Sequence, residues 1–252
     1  MRDLNVLIKK WYFMKITAAN KNQNLVFSEG EADRWYSRNK LSFEKTGVTK
    51  GELPLEIEGL CTTLEPFKQE LNKVLEIGCS SGKKLEAICN VLDAFGEGLD
   101  PSQLAVDEGN RRLLGKDIRL VCGTSNQLPY DSGLFDVVYF GFCLVWVDRQ
   151  NLLMALAEAD RVLRPGGFLA ITDFDPGMKC KRPYIHKEGI FSYKQDYSKF
   201  YTESGLYYLV SKQSFSHRQT FFDLDTVERV SLSVLYKELE PYPLCNAKLT
   251  NL

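Results

Sequence analysis

The chain has 252 residues, 44% of them hydrophobic, which is enough for one large α/β domain with its own core. Its 32 basic and 33 acidic side chains are interspersed and give a net charge of −1, which argues against a nucleic-acid partner. No apolar run reaches the roughly 18 residues that span a membrane. The start, "MRDLNVLIKKWYFMK", has Lys9 and Lys10 where a secretory signal would be apolar, so we expect a cytoplasmic protein with no membrane partner.

The cysteines predict neither a disulfide framework nor a metal site. Seven are scattered along the chain without a C-x-x-C pair, and the chain has only two histidines to assist in binding zinc. We therefore expect reduced thiols that mostly pack, and no bound metal. The cysteines are Cys61, Cys79, Cys89, Cys122, Cys143, Cys180 and Cys245.

The first quarter of the chain is predicted to be a helical extension. Residues 1–27 show no clear period, whereas 29–46 ("EGEADRWYSRNKLSFEKT") and 54–68 are typical of two helices. We therefore divide the chain into an N-terminal helical lid or extension, residues 1–69, and a main domain, residues 70–252.

From residue 73 the pattern alternates between strands and helices. Near-continuous apolar runs predict five strands, and helical spacing predicts the segments between them, which is typical of a parallel sheet covered on both faces. The predicted strands are 73–77, 96–99, 118–121, 135–140 and 168–172, and the predicted helices are 82–92, 102–114 and 149–163.

After the fifth strand the rhythm changes. Residues 176–201 are rich in Tyr, Phe and Lys, and we interpret them as an insertion that shapes a binding pocket. "GLYYLVSKQSF" and "ERVSLSVLYK" then predict two antiparallel closing strands. The predicted fold is α/β, a doubly wound, Rossmann-like sheet of seven strands.

A glycine-containing turn follows the first strand in "KVLEIGCSSG". Gly78 and Gly82 would let the backbone approach a ligand, and the next helix presents free N–H groups to it. The spacing differs from the G-x-G-x-x-G of dinucleotide sites, since Ser80 stands where a middle glycine would be. Asp100 follows the second strand and can accept hydrogen bonds from both hydroxyls of a ribose. If the turn binds no ligand, Asp100 would serve only to cap the following helix and Glu76 only to contact the backbone.

Four stretches in order resemble the class I S-adenosylmethionine-dependent methyltransferases over residues 70–175. They are "VLEIGCSSG", "GLDPS", "GTSNQLPYDSGLFDVVYFGF" and "VLRPGGFLAITDFDP". The resemblance implies S-adenosylmethionine as cofactor and methyl transfer as the reaction. The residues it implies for cofactor binding are Glu76, Gly78, Cys79, Ser80, Gly82, Asp100, Pro101, Thr124, Ser125, Phe140 and Gly141.

By this resemblance the turn at 78–80 holds the methionine part and Asp100 the ribose. Thr124 and Ser125 contact the adenine, while Phe140 and Gly141 face the methyl group. Two positions depart from the family pattern. Ser80 replaces the usual middle glycine, and Thr124 stands where an acidic residue often meets the adenine.

Aromatic and basic side chains on both sides of the sheet are candidates for an acceptor pocket. Residues 29–46 could form a helical lid over the donor, and the insertion at 176–201 could form a wall of the acceptor pocket. Packing in the protein core explains the aromatic side chains of both segments equally well. A lone histidine is more often structural than catalytic, which is our interpretation of His217. The candidate pocket residues are Trp35, Tyr36, Arg38, Tyr184, Tyr193 and Tyr197.

A hydroxyl acceptor would need a base. His186 is the first choice, because it lies in the insertion and titrates near neutral pH, and Asp173, with Asp175 nearby, is the second. The end of the fourth strand, "YFGFCLVW", lacks the N-P-P-Y-like ending of relatives that methylate amino groups. We find neither a Pro-Cys nucleophile nor the acids of a magnesium-dependent catechol enzyme.

The sequence therefore predicts a metal-free methyltransferase acting on a small-molecule or glycan acceptor, at oxygen. Stretches such as "WYSRN" and "SYKQDYSKFY" also resemble a bacterial subgroup associated with surface-polysaccharide biosynthesis. Two alternatives stay open. One is a catalytically inactive S-adenosylmethionine-binding subunit or scaffold; the other, disfavoured by the glycine spacing, is a nicotinamide oxidoreductase.

Overall fold

A computed structural model describes residues 22–45, 53–218 and 220–243. Residues 1–21, including the charged start, and Cys245 lie outside the described residues. The N-terminal segment forms helix α1 (Gln23–Val26), a tight turn (Phe27–Glu31) and helix α2 (Ala32–Lys45). Gly30 has φ +120°, a conformation that favours glycine and that lets the chain reverse between the two helices.

The sheet has seven strands in the order β3-β2-β1-β4-β5-β9-β8. Neighbours among β1 to β5 pair in parallel, and β9 pairs antiparallel with both β5 and β8, which confirms the predicted mixed sheet. The strands are β1 Lys73–Ile77, β2 Phe95–Asp100, β3 Ile118–Cys122, β4 Phe135–Gly141, β5 Leu163–Phe174, β8 Tyr207–Ser216 and β9 Arg229–Lys237.

Helices cover both faces of the sheet because successive strand residues point to opposite sides. Val74 packs in one buried cluster with helices α3, α4 and α5, and Leu75 packs in a second cluster with α6 and α7. The helices are α3 Leu55–Leu64, α4 Lys83–Leu92, α5 Gln103–Arg112, α6 Leu152–Val162 and α7 Lys199–Thr202.

The proposed division at residue 69 does not follow the packing. Ile57, Leu60 and Leu64 of α3 are fully buried in the main core, because α3 covers the sheet beside α4 and β9. A lid role therefore fits α1 and α2 but not α3.

The insertion contains a small two-stranded sheet that the sequence did not predict. Strand β6 (Cys180–Pro183) pairs antiparallel with β7 (Phe191–Lys194). The strands are four residues long and carry mixed polar and aromatic side chains, so they show no clear alternation of apolar residues.

The remaining sequence expectations can be compared with the described residues. Their helices include none long and apolar enough to cross a membrane. The six described cysteines are free thiols. Within the same residues no group of three or more His, Cys, Asp or Glu side chains could hold a metal ion.

Candidate functional site

A cavity of about 650 Å³ lies at the carboxyl ends of β1, β2 and β4, beneath α1 and α2. This volume is within the range of roughly 300–1,000 Å³ typical of small-molecule sites. The cavity brings together many of the residues singled out in the sequence. Those that line it are Trp35, Tyr36, Glu76, Gly78, Cys79, Ser80, Asp100, Pro101, Thr124, Ser125 and Gly141.

Two sides of the cavity differ in construction. The first, here called the turn side, comprises residues 76–81, 83–84, 99–102 and 124–125 at the ends of β1, β2 and β3. The second, the hairpin side, comprises Phe142, Phe174, Arg182, Ser192 and His217.

Asp100 is held rigidly on the turn side. Its two carboxylate oxygens accept hydrogen bonds from the backbone N–H groups of Ser80 and Ser102, each at 2.8 Å. Burial raises the pKa of Asp100 to about 6, although these two hydrogen bonds lower it. Each oxygen of a carboxylate has a further lone pair, so Asp100 can still accept two hydroxyl donors from a ligand.

Glu76 is the most buried ionisable group on the turn side. It is 1% exposed, and its Oε2 has no hydrogen-bond partner among the described residues. Burial raises the pKa of Glu76 to about 8, and the cation of Lys84 lowers it only in part, because Lys84 lies 2.6 Å from Glu56. A buried carboxyl without a full set of partners is suited to receive a cationic ligand group.

The glycines of the turn are required by protein packing. Gly78 has φ +80°, and a Cβ there would lie 2.4 Å from the Cβ of Cys143. Gly82 has φ +74° and packs against Leu120, outside the cavity wall. Neighbouring side chains therefore already require glycine at both positions, and Gly78 also lines the cavity as predicted.

Ser80, which departs from the family pattern, has a backbone conformation that favours glycine and a hydroxyl that is available to a ligand. Its φ of 51° lies in the left-handed region where glycine is usual, and its buried hydroxyl has no partner in the described part of the chain. A ligand could therefore use this hydroxyl.

Phe140 does not face the cavity, contrary to the prediction. It is fully buried in the cluster beneath α6, because alternate residues of β4 point away from the cavity. Phe142 lines the cavity instead, with φ +67°, a strained conformation for a bulky residue.

Hydrogen bonds of Gln23 attach the N-terminal helices to the wall of the cavity. Its side-chain Nε2 donates to the carbonyl oxygens of Trp146 at 2.7 Å and Phe191 at 2.8 Å, and its Oε1 accepts from the Phe191 N–H. At the other end, Asp33 accepts hydrogen bonds from Ser102 and from the N–H of Leu104. The segment is thereby attached to both sides of the cavity.

On the hairpin side, His217 lies at the end of β8 between two aromatic rings. The ring centroids of Phe142 and Phe174 are 5.4 and 4.9 Å from that of His217. Partial burial lowers the pKa of His217, and neighbouring cations lower it further while Glu228 raises it. His217 is therefore neutral at neutral pH and can accept a proton.

The first-choice base, His186, is not brought to the cavity. It is exposed in the turn between β6 and β7 and contacts the ring of Tyr184. The hairpin directs Arg182 and Ser192 to the cavity and leaves its connecting turn in solvent. The structure therefore replaces His186 with His217 as the histidine of the site.

Several other predicted pocket residues make protein contacts. Arg38 pairs with Glu31 at 2.6 Å and donates to the hydroxyl of Tyr184, so neither side chain lines the cavity. Tyr197 is buried and donates to a backbone carbonyl, while Tyr193 stacks with Arg149. These tyrosines were predicted from composition, which does not specify direction.

Asp173, the second choice of base, is buried behind the cavity wall. Its carboxylate accepts hydrogen bonds from the N–H groups of Val145 and Phe174, at 3.0 and 2.7 Å. Burial raises its pKa to about 7. Asp173 thus anchors the loop after β4 and does not face a ligand; Asp175 pairs with Lys212 at 2.8 Å.

The chain is similar to known proteins in sequence and in structure. Residues 74–167 match the family described as "Methyltransferase domain". A demethylmenaquinone methyltransferase of Staphylococcus aureus (strain MRSA252) is 33% identical over 100 residues. That match covers 38% of this chain and 41% of the relative, so the chain spans about two-fifths of the length of the curated relatives it matches.

Solved structures share the fold over most of the chain. The 1,6-didemethyltoxoflavin-N1-methyltransferase of Burkholderia thailandensis, solved with 1,6-didemethyltoxoflavin and S-adenosylhomocysteine, is 12% identical with a TM-score of 0.65, covering 87% of this chain and 91% of that one. A methyltransferase of Methanosarcina mazei is 16% identical with a TM-score of 0.57, covering 70% and 97%. Residues 74–167 therefore match a methyltransferase domain in sequence, and the sheet around them has the fold of these solved methyltransferases.

Proposed function

We propose that the protein is an S-adenosylmethionine-dependent methyltransferase acting at oxygen on a small-molecule or glycan acceptor. The observation that carries the proposal is one cavity that joins the Glu76 and Asp100 carboxylates to a neutral histidine, His217. The two sides of this cavity match the two reactants that a methyl transfer must hold together.

The turn side suits the donor. Asp100 retains acceptor capacity for the two ribose hydroxyls, and Glu76 offers an unpartnered oxygen to the donor's ammonium. Thr124 and Ser125 line the same side, at the end of β3, where the adenine is expected. These features are independent of one another, and all of them fit S-adenosylmethionine.

When bound, S-adenosylmethionine supplies a methyl carbon whose bond to the charged sulfur breaks, with its electron pair staying on sulfur, as the acceptor oxygen bonds to it. The protein then has to align the acceptor, exclude water and accept one proton. Phe142, Phe174 and Trp146 line the cavity with rings that exclude water. His217 takes the proton of the acceptor hydroxyl.

The roles proposed for the N-terminal segment and for the β6–β7 hairpin rest on where these segments lie relative to the cavity. Residues 22–45 act as a lid on the donor, and the β6–β7 hairpin within 176–201 shapes the acceptor pocket through Arg182 and Ser192. A glycan acceptor, related to polysaccharide synthesis and handled in the cytoplasm, agrees with the resemblance noted in the sequence.

The direct test is to incubate the full chain with S-adenosylmethionine and a panel of nucleotide sugars and free saccharides. We expect S-adenosylhomocysteine together with a methylated product, detected by mass spectrometry. Calorimetry of S-adenosylhomocysteine and NAD separates the alternatives. Binding of the former without turnover on any acceptor would indicate a binding module, and preferential NAD binding would indicate an oxidoreductase.

A further inference from the structure

The charges around the cavity are distributed unevenly. The carboxylates that line it among the described residues, Glu76 and Asp100, both lie on the turn side. The hairpin side is lined by a guanidinium, that of Arg182, without a carboxylate among its described lining residues. The turn side also carries Lys83 and Lys84, so its two carboxyl groups lie beside ammonium groups, whereas the hairpin side presents the guanidinium of Arg182 to a ligand.

Behind Arg182, three cations share one carboxylate. The Glu228 side chain is 7% exposed and lies 3.1 Å from Arg182, 3.6 Å from Lys194 and 3.8 Å from Arg218. One negative charge cannot neutralise three positive ones, so Glu228 alone leaves an excess of positive charge. Glu228 engages Nη1 of Arg182, and a guanidinium has four further N–H donors.

Lys194 brings one of these charges directly behind the cavity wall. Its side chain is 1% exposed, and its Nζ donates to the carbonyl oxygen of Val227. The same Nζ lies 3.6 Å from the ring centroid of Phe174, whose ring lines the cavity. A buried charge is little screened by solvent, so its field reaches the cavity.

Other nearby carboxylates have their own cations. Asp175 and Asp196 both pair with Lys212, at 2.8 and 2.7 Å. Asp223 accepts a hydrogen bond from Ser216, and the cations of Arg218 and Arg229 lower its pKa. Asp223 thus offsets part of the Arg218 charge, whereas Arg182 and Lys194 share the single charge of Glu228, which leaves one positive charge in excess beside the cavity.

We propose that the acceptor carries an anionic group, a phosphate or a carboxylate, that binds Arg182 at the hairpin side of the cavity. The inference rests on the proposed function, because it assigns the turn side to the donor. It narrows the acceptor from polar molecules in general to acidic ones. Arg182 would then orient the acceptor hydroxyl toward His217 and would not itself take part in the transfer.

The test uses pyrophosphate and malonate as probes of the two anion chemistries. Each is titrated by calorimetry into the full chain, with and without saturating S-adenosylhomocysteine. Arg182→Gln is compared with Lys181→Gln, a matched control on the same strand whose ammonium lies over the ring of Phe191 and does not line the cavity. Arg182→Lys keeps the charge and checks that the fold tolerates substitution.

We expect Arg182→Gln to weaken binding of the preferred probe at least about tenfold, as loss of a charge-assisted hydrogen bond does, and Lys181→Gln to change it less than about twofold. Arg182→Lys should retain most of the affinity. The stronger probe identifies phosphate or carboxylate as the group recognised. Equal losses in the Arg182→Gln and Lys181→Gln variants, no binding of either probe, or competition with S-adenosylhomocysteine would overturn the inference. Failure of S-adenosylhomocysteine to bind would instead overturn the proposed function.

Discussion

The turn side and the hairpin side of the cavity are built in different ways. On the turn side, Glu76 and Asp100 come from neighbouring parallel strands, and backbone N–H groups hold Asp100 in place. On the hairpin side, Arg182, Ser192 and His217 come from an insertion and from the end of β8, and the N-terminal segment is clipped to this region by Gln23. The turn side is thus built from strand ends of the sheet, and the hairpin side from peripheral segments, which are the parts of a fold that tolerate change most readily.

The largest effect is expected on the hairpin side, for His217→Ala. Removing a general base should lower kcat for a hydroxyl acceptor about 100-fold or more. Because the pKa of His217 is lowered, the wild-type rate should fall as lower pH protonates the ring, at a lower pH than for a free histidine. Initial rates across pH 5 to 8 test this, with His186→Ala as the exposed control. A larger loss of activity in His186→Ala than in His217→Ala would indicate that His186, in the turn of the hairpin, is the base.

On the turn side, Asp100→Ala should weaken binding of S-adenosylhomocysteine about 10- to 100-fold. The variant loses charge-assisted hydrogen bonds to the ribose, which typically contribute about 1.5–3 kcal/mol. Calorimetry measures the change, and Asp107→Ala, an exposed carboxylate on α5, is the control. Circular dichroism confirms that the fold survives loss of the contacts to Ser80 and Ser102. Unchanged affinity in a folded Asp100 variant would contradict the ribose assignment.

Gln23→Ala tests whether the two sides are coupled through the N-terminal segment. It leaves carbonyl oxygens of Trp146 and Phe191 without their partner, which costs about 1–3 kcal/mol. We expect hydrogen exchange of residues 23–41 to accelerate about 5- to 150-fold while exchange in β1 changes little. Gln103→Ala, which removes an exposed contact to Asp107, is the control. Uniform acceleration across the sheet would indicate that the segment does not open separately.

The smallest effect concerns the pH dependence of stability. The pKa of Glu76 is about 8 in the folded protein against 4.5 in a model peptide, so the unfolded chain releases this proton first. Stability of the ligand-free protein should therefore fall as pH rises from about 4.5 to about 8. Glu76→Gln should reduce this fall by on the order of 1 kcal/mol in urea unfolding. Asp100 and Asp173, whose pKa values are also raised, contribute in the same direction.

Glu158→Gln is a control whose effect on the pH dependence of stability should have the opposite sign to that of Glu76→Gln. Hydrogen bonding to Arg161 lowers the pKa of Glu158, so its contribution is present above the unfolded pKa and is lost as pH falls. Removing it should lower stability mainly above about pH 4.5. If the Glu76 and Glu158 variants changed the pH profile in the same direction, burial of Glu76 would not be the cause.

Much of the sheet was predictable because its signals are local. The bounds of β1, Lys73–Ile77, agree with the prediction, since a buried strand requires a continuous apolar run. Helix α4 begins one residue from its predicted start, after a glycine in the left-handed conformation. By contrast, β5 begins at Leu163, five residues before the predicted start, because Leu163 pairs with Phe135 of β4 ahead of an irregularity that contains the glycines.

The hairpin side had weaker local signals. Nothing around His217 distinguishes it from an exposed histidine, since only the pairing of β8 with β9 carries it to the cavity. Phe142 and Arg182 were missed for the same reason. The aromatic composition of 176–201 indicated a functional segment, but it favoured Tyr184, Tyr193 and Tyr197 over the side chains that face the cavity.

The amino-acid sequence by itself determined the strands of the parallel core, the turn after β1 and the position of Asp100. Each of these depends on residues close in the chain, whose apolar period and turn chemistry specify local structure. Only the tertiary structure decided which histidine lines the cavity, which glycine contacts are with protein and where the insertion points. Those outcomes depend on the packing of segments distant in the chain, and a side chain's direction is set by the neighbours that it meets there.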